Sequence, residues 1–170
     1  MNNPGSLKVE VRGEREIVMT RVFDAPRQLV FEAFTKPELL KRWLTGPPGW
    51  TLAVCEVDLR VGGAARYVWH GPNGVQMGMR SVLREIVSPE RLVGTEKFDE
   101  PWYPGEAIGT VVLIEREGKT TLTQTLLYES GEARDLVLKT PMDKGVAASY
   151  DQLAQLLSPA AERGKWQLSA

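Results

Sequence analysis

The chain contains one cysteine and one histidine, and these set the limit on the nucleophilic and metal chemistry it can do. Cys55 has no second cysteine with which to close a disulfide or build a cysteine-paired zinc site, so its expected role is that of a small core hydrophobe. His70 is the single imidazole available as a base, and it stands at the lip of a Gly71-Pro72-Asn73-Gly74 turn. Neither an orienting carboxylate nor a nucleophile accompanies it in the sequence, so a surface turn position is expected. No catalytic constellation is recognisable, and neither a metal nor a cofactor is expected.

Four charged residues, Arg66, Arg80, Glu96 and Lys97, fall inside segments that read as strands. Any of them could orient the polar end of a ligand, although charged strand residues ordinarily face water. Glu96 stands apart because it shares strand parity with Gly94 and Phe98. The same rule groups Tyr67 with Trp69, and Met77 with Met79 and Ser81. Aromatic and methionine side chains supply the adaptable apolar walls of a ligand pocket, yet the same period-two pattern also describes a solidly filled core. Trp102, in a Trp102-Tyr103-Pro104-Gly105 loop, reads either as a lid over a pocket mouth or as a plug pinning that loop.

These residues need elements to position them. Residues 16–23 read as a strand, and Asp24-Ala25-Pro26 then caps a short helix with Leu29, Val30, Ala33 and Phe34 on one stripe. Pro37-Glu38 opens a second short helix with Leu39, Leu40, Trp43 and Leu44 on one side. From Trp50 onward the pattern is an antiparallel meander, with strands expected at residues 51–60, 64–70, 75–86, 92–98, 107–116 and 120–128. Residues 141–157 form the longest expected helix, carrying Met142, Val146, Ser149, Leu153 and Leu156 at helical spacing. At about 25 Å it can lie along a curved sheet of such strands. Trp43 from the second helix, with Val146 and Ser149 from the last, would then complete a ligand site on the inner face. One α+β domain over residues 8–158 is expected, with a flexible tail at 159–170.

Composition narrows the partners. Twenty-one Lys and Arg against 22 Asp and Glu give a net charge of −1, which offers no basic footprint for nucleic acid. Apolar runs such as residues 111–114 are far shorter than the ~20 residues of a membrane span, so no membrane insertion and a cytoplasmic location are expected. A homodimer is left open.

Phe23-Asp24-Ala25-Pro26, Ala33-Phe34-Thr35 with Pro37-Glu38 and Trp43, and Asp58-Leu59-Arg60-Val61-Gly62-Gly63 follow one another in order. Glu85-Ile86-Val87-Ser88-Pro89-Glu90-Arg91-Leu92 and Tyr150-Asp151-Gln152-Leu153-Ala154-Gln155-Leu156-Leu157 complete the set. Taken together, residues 16–157 resemble the SRPBCC (START-like, helix-grip) superfamily, and within it the bacterial homologues of the activator of heat-shock-protein-90 ATPase. The resemblance implies a helix-grip fold of about seven antiparallel strands around the C-terminal helix, with two short helices after the first strand. It also implies a cavity that binds a small hydrophobic or amphipathic molecule. A cyclase- or aromatase-type enzyme using Glu96 or His70, and a protein-interaction module, are the alternatives it leaves. The motifs themselves start helices, make turns and pack, so they speak to fold more than to function.

Overall fold

The computed structural model describes residues 6–158. Alternating residues make the opening hairpin, in which β1 (Lys8–Arg12) pairs with β2 (Glu16–Phe23) from Lys8↔Thr20 to Arg12↔Glu16. Gly13 turns the chain at a φ of 58°, in the left-handed region. The sequence reading has no β1, because all five of its residues are exposed and its valines carry no burial signal. β1 is an edge strand and brings the sheet to eight strands.

Helices α1 (Arg27–Thr35) and α2 (Pro37–Trp43) follow, divided by Lys36 in an extended conformation as Pro37 demands. Asp24 does not cap α1. The N-cap position is Pro26, and Glu115 of a neighbouring strand accepts from the Arg27 N–H at 2.7 Å instead. The meander then runs β3 (Thr51–Val57), β4 (Ala64–His70), β5 (Gln76–Val87), β6 (Arg91–Phe98), β7 (Ala107–Arg116) and β8 (Lys119–Leu127). β3 stops three residues short of the expected end at position 60, where the Asp58–Gly63 turn begins.

The strands form one antiparallel sheet in the order β1-β2-β8-β7-β6-β5-β4-β3. Register shifts between Leu52 and Val54 and between Leu83 and Glu85 mark bulges, the irregularities that let a sheet bend. A helix absent from the sequence reading, α3 (Gly131–Leu138), precedes the long α4 (Met142–Leu156). The Ser130 hydroxyl caps α3 by accepting from Ala133 N–H at 3.1 Å. The expected tail at 159–170 lies outside the described residues. Among the described residues no helix is long and apolar enough to cross a membrane.

The core has two parts. One gathers Phe23, Val30, Trp43, Leu122, Tyr150 and Leu153 under α1, α2 and the C-terminal half of α4. The other gathers Ile17, Met19, Leu126, Tyr128, Ala133 and Val137 under α3. Phe98 and Val146 pack against both, so they mark the seam between them.

One ion pair ties α4 to the sheet. Arg21 of β2 is 6% exposed, lies with its guanidinium 5.4 Å from the centre of the Phe23 ring, and donates to Asp151 of α4 at 2.7 Å. Its Nε is fully enclosed without a partner. Asp151→Ala strips the buried guanidinium of its carboxylate and is expected to cost roughly 1–3 kcal/mol in urea unfolding, most of which the additional change Arg21→Met restores. A cost below about 0.5 kcal/mol would show that the pair does not hold α4 in place.

Candidate functional site

Strand pairing settles which side chains meet on the inner face. Tyr67 of β4 is opposite Met79 of β5, which is opposite Phe98 of β6, while Trp69 is opposite Met77. Tyr67 and Trp69 stack with ring centres 5.9 Å apart. On β6 and β7 the inward positions beside Glu96 are small: Gly94 is opposite Gly109, and Glu96 itself is opposite Ala107. A Cβ at Gly109 would stand 2.5 Å from Glu96 Oε2, and one at Gly94 would stand 2.8 Å from Ser81 Oγ. The Glu96 carboxylate therefore lies folded over a floor of bare backbone.

Rings surround it. Tyr67, Tyr103, Tyr128 and Tyr150 are all partly or fully enclosed, and burial raises each phenol, with the charge on Glu96 raising all four further. All four stay protonated across the physiological range. Burial alone pushes the Glu96 carboxyl up to about 7. No described residue hydrogen-bonds to the Glu96 carboxylate or to the hydroxyls of Tyr67, Tyr103 and Tyr128, whereas the Tyr150 hydroxyl donates to Gln124. Arg21 Nε is the one fully enclosed side-chain polar atom among the described residues with no partner, so these unpaired oxygens retain accessible surface. These oxygens lie near one another, poorly solvated and without a hydrogen-bond partner among the described residues.

Several residues that the sequence groups with this site are committed to the frame. Trp43 is fully buried and donates through Nε1 to Ala33 O at 2.9 Å, with its ring 5.9 Å from Tyr150. Trp69 donates through Nε1 to Leu44 O at 2.8 Å, joining β4 to the end of α2. Ser149, 3% exposed, accepts from Gly46 N–H at 2.9 Å, on the side of α4 that meets the loop before β3. Val146, Met77 and Met79 remain half-buried beside the core. Trp102 packs 4.6 Å from Phe98 and stays 39% exposed, while Tyr103 turns inward against Tyr128 at 5.3 Å.

Tyr103, Tyr128 and Gly109 are the site residues that the sequence reading lacks. Parity along β8 through Leu122, Gln124 and Leu126 points to Tyr128, and parity with Val111 points to Gly109. Nothing in the sequence marks Tyr103 over Trp102, because a loop has no period.

The remaining chemistry-bearing residues lie elsewhere. Burial raises the Cys55 thiol to about 11, so it is not a thiolate nucleophile at neutral pH. His70 is exposed at the end of β4. Arg66 makes a bidentate pair with Asp99 at 2.7 and 2.6 Å, and Arg80 reaches the same carboxylate at 3.6 Å. Of the four charged strand residues, Glu96 is the one enclosed among the inward-facing rings.

The model of the family described as activator of Hsp90 ATPase homolog 1-like protein matches residues 24–158. The chain belongs to that family. A crystal structure of a Rhodobacter sphaeroides protein is 30% identical, superposes with a TM-score of 0.84, and is matched over 89% of this chain and 97% of the other. A Nitrosomonas europaea protein is 27% identical with a TM-score of 0.78, over 91% and 99%. A Mycobacterium smegmatis protein is 25% identical with a TM-score of 0.78, over 89% and 96%. No curated protein matches. The family match and these solved structures support the helix-grip fold, an open antiparallel sheet with a C-terminal helix, a fold consistent with ligand binding or a cyclase-like role.

Because folding raises the Glu96 pKa from 4.5 to about 7, the folded state holds this proton more tightly than the unfolded state does. That stabilisation is full below about pH 4.5 and is lost as pH rises through about 7. Glu96→Gln is therefore expected to match the parent near pH 4.5 and to exceed it by roughly 1–3 kcal/mol at pH 8.5, read from urea unfolding at the two pH values. Parallel pH profiles for the two proteins would show that Glu96 is ordinarily solvated.

Proposed function

We propose that this protein binds a small hydrophobic or amphipathic molecule in the chamber between its sheet and α4. The observation that carries the reading is Glu96, a half-buried carboxylate to which no described residue donates, set over the glycine floor and ringed by tyrosines. A pocket of this kind takes its affinity from apolar walls and its orientation from a few polar groups. Met77, Met79 and Phe98 supply the first, and Glu96 with the Tyr67, Tyr103 and Tyr128 hydroxyls supplies the second. Val146 closes the helix side, and Trp102 covers the outer end of Phe98. The near-balanced net charge fits a small-molecule partner in the cytoplasm better than a nucleic acid.

A cyclase-type reaction in the same chamber is the second reading, and one observation favours it. A carboxyl with a pKa of about 7 is matched to exchanging protons at neutral pH. It has no second acid or base beside it, since the four phenols are all raised, so it would serve one proton transfer while the walls held the substrate in shape.

Gly109→Leu separates an empty chamber from a filled core. Its side chain would rise from the floor against the flexible end of Glu96, with Leu126 Cδ2 3.6 Å from the new Cβ. In an empty chamber the leucine fits with less than about 1 kcal/mol lost and abolishes binding of a neutral fluorescent probe such as N-phenyl-1-naphthylamine, whereas in a filled core it overpacks by roughly 1–3 kcal/mol. No binding of the probe to the parent at about 100 μM, together with that larger loss, would overturn the proposal.

A further inference from the structure

The chamber is charged on one side only, and that selects among amphipathic ligands. The two buried arginines are engaged elsewhere, and Lys41, exposed on α2, acts on Cys55 from outside. Arg21 of β2 is bound to Asp151, and Arg134 of α3 is bound to Asp135 and to the Gly13 and Glu16 carbonyls. The groups gathered with Glu96 are Tyr67 from β4, Ser81 and Met79 from β5, Gly109 from β7, Gln124 and Tyr128 from β8 and its end, Tyr103 from the β6–β7 loop and Tyr150 from α4. None of them carries a positive charge. Gln124 is already taken by the Tyr150 hydroxyl.

Building on the binding reading above, we infer that the ligand carries a positively charged nitrogen on an apolar body. The nitrogen sits between Glu96 and the rings of Tyr67, Tyr103 and Tyr128, and the apolar body lies along Met77, Met79 and Phe98. A neutral hydroxyl would satisfy one hydrogen bond to the carboxylate and leave its charge uncompensated in a poorly solvated place. A second carboxylate would add repulsion. A cation gains from the carboxylate and also from the negative faces of the tyrosine rings, which attract ammonium groups most strongly where water is excluded. Three unpaired phenol oxygens add acceptors for a primary or secondary ammonium.

The pairing is linked to pH through the protein alone when the probe is permanently charged. Among the groups facing the nitrogen, the phenols stay protonated and the Cys55 thiol beside Tyr67 is raised to about 11, leaving Glu96 as the group that titrates. Its carboxylate form is the one that binds a cation.

The test compares phenylpropyltrimethylammonium with its uncharged carbon isostere, each measured by displacement of the neutral naphthylamine probe from the parent and from Glu96→Gln. At pH 8.5 the cation is expected to bind the parent at least about tenfold more tightly than the isostere, and at pH 5.5 this preference falls below about threefold. Glu96→Gln removes the preference at both pH values, bringing the ratio of cation to isostere affinity below about threefold. Isostere binding equal to or tighter than cation binding, or a preference that survives Glu96→Gln, overturns the inference while leaving the chamber intact as a binding site. Failure of cation, isostere and naphthylamine probe alike overturns the binding reading and this inference with it.

Discussion

A carboxylate drawn largely out of water with no donor among the described residues is costly, and the placement of Glu96 has to be enforced by something stronger than its own preference. Strand register enforces it. β6 is central in the sheet, paired with β5 on one side and β7 on the other, and its even-numbered positions Leu92, Glu96 and Phe98 share one face. A slip of one residue would bring Glu96 to the outside but would also turn Leu92 and Phe98 to water. Burying those two side chains, roughly 2 kcal/mol each, outweighs the cost of retaining the acid, and raising its pKa to about 7 reduces that cost further.

The interior polar groups fall into two sets, and the division separates frame from site. Trp43, Trp69, Ser149, Thr120 and Tyr150 each have a named partner: Ala33 O, Leu44 O, Gly46 N, Ala25 O and Gln124. Each bond joins two different elements or an element to a loop, so these side chains fix how α1, α2 and α4 sit on the sheet. Glu96 and the hydroxyls of Tyr67, Tyr103 and Tyr128 have no such partners, and they converge on one place. A core that existed only to be stable would have paired them or replaced them with apolar residues, as buried polar groups usually are. Arg21 belongs to the frame although its Nε is unpaired, because Asp151 holds the guanidinium and the chain closes around the remaining nitrogen.

Much of this was legible in the residues. Prolines 26 and 37 and the glycine turns located the helices and hairpins, and parity alone put Glu96 on the face shared by Phe98. What escaped had physical reasons. β1 is exposed along its whole length, so hydrophobic pattern carries no trace of it, and pairing with β2 is what makes it a strand. α3 is eight residues long with a mixed face, and its start depends on a serine cap that resembles any turn serine. Asp24 reads as a cap, but Glu115 from a strand 88 residues away meets the first turn of α1 first. The small size of Ser149 follows from the close approach of the loop before β3, with Pro47 3.7 Å from where a Cβ at Gly145 would lie. Smallness on a helix records what packs against it, whether a void or a backbone.

The same geometry bears on how binding and catalysis divide in this fold. General acid–base chemistry ordinarily uses two groups whose environments push their pKa values in different directions across the working pH. Here one environment acts on every group present: burial raises the carboxyl, the four phenols and the Cys55 thiol together. The result is one group that titrates near neutrality inside a wall of groups that do not. Such a chamber senses charge. In the proposed binding role it would take a cation when Glu96 is ionised and an uncharged body when it is not, while the tyrosines keep their protons in both states. A second group titrating in the same range would be needed to turn that discrimination into a cycle of proton donation and return.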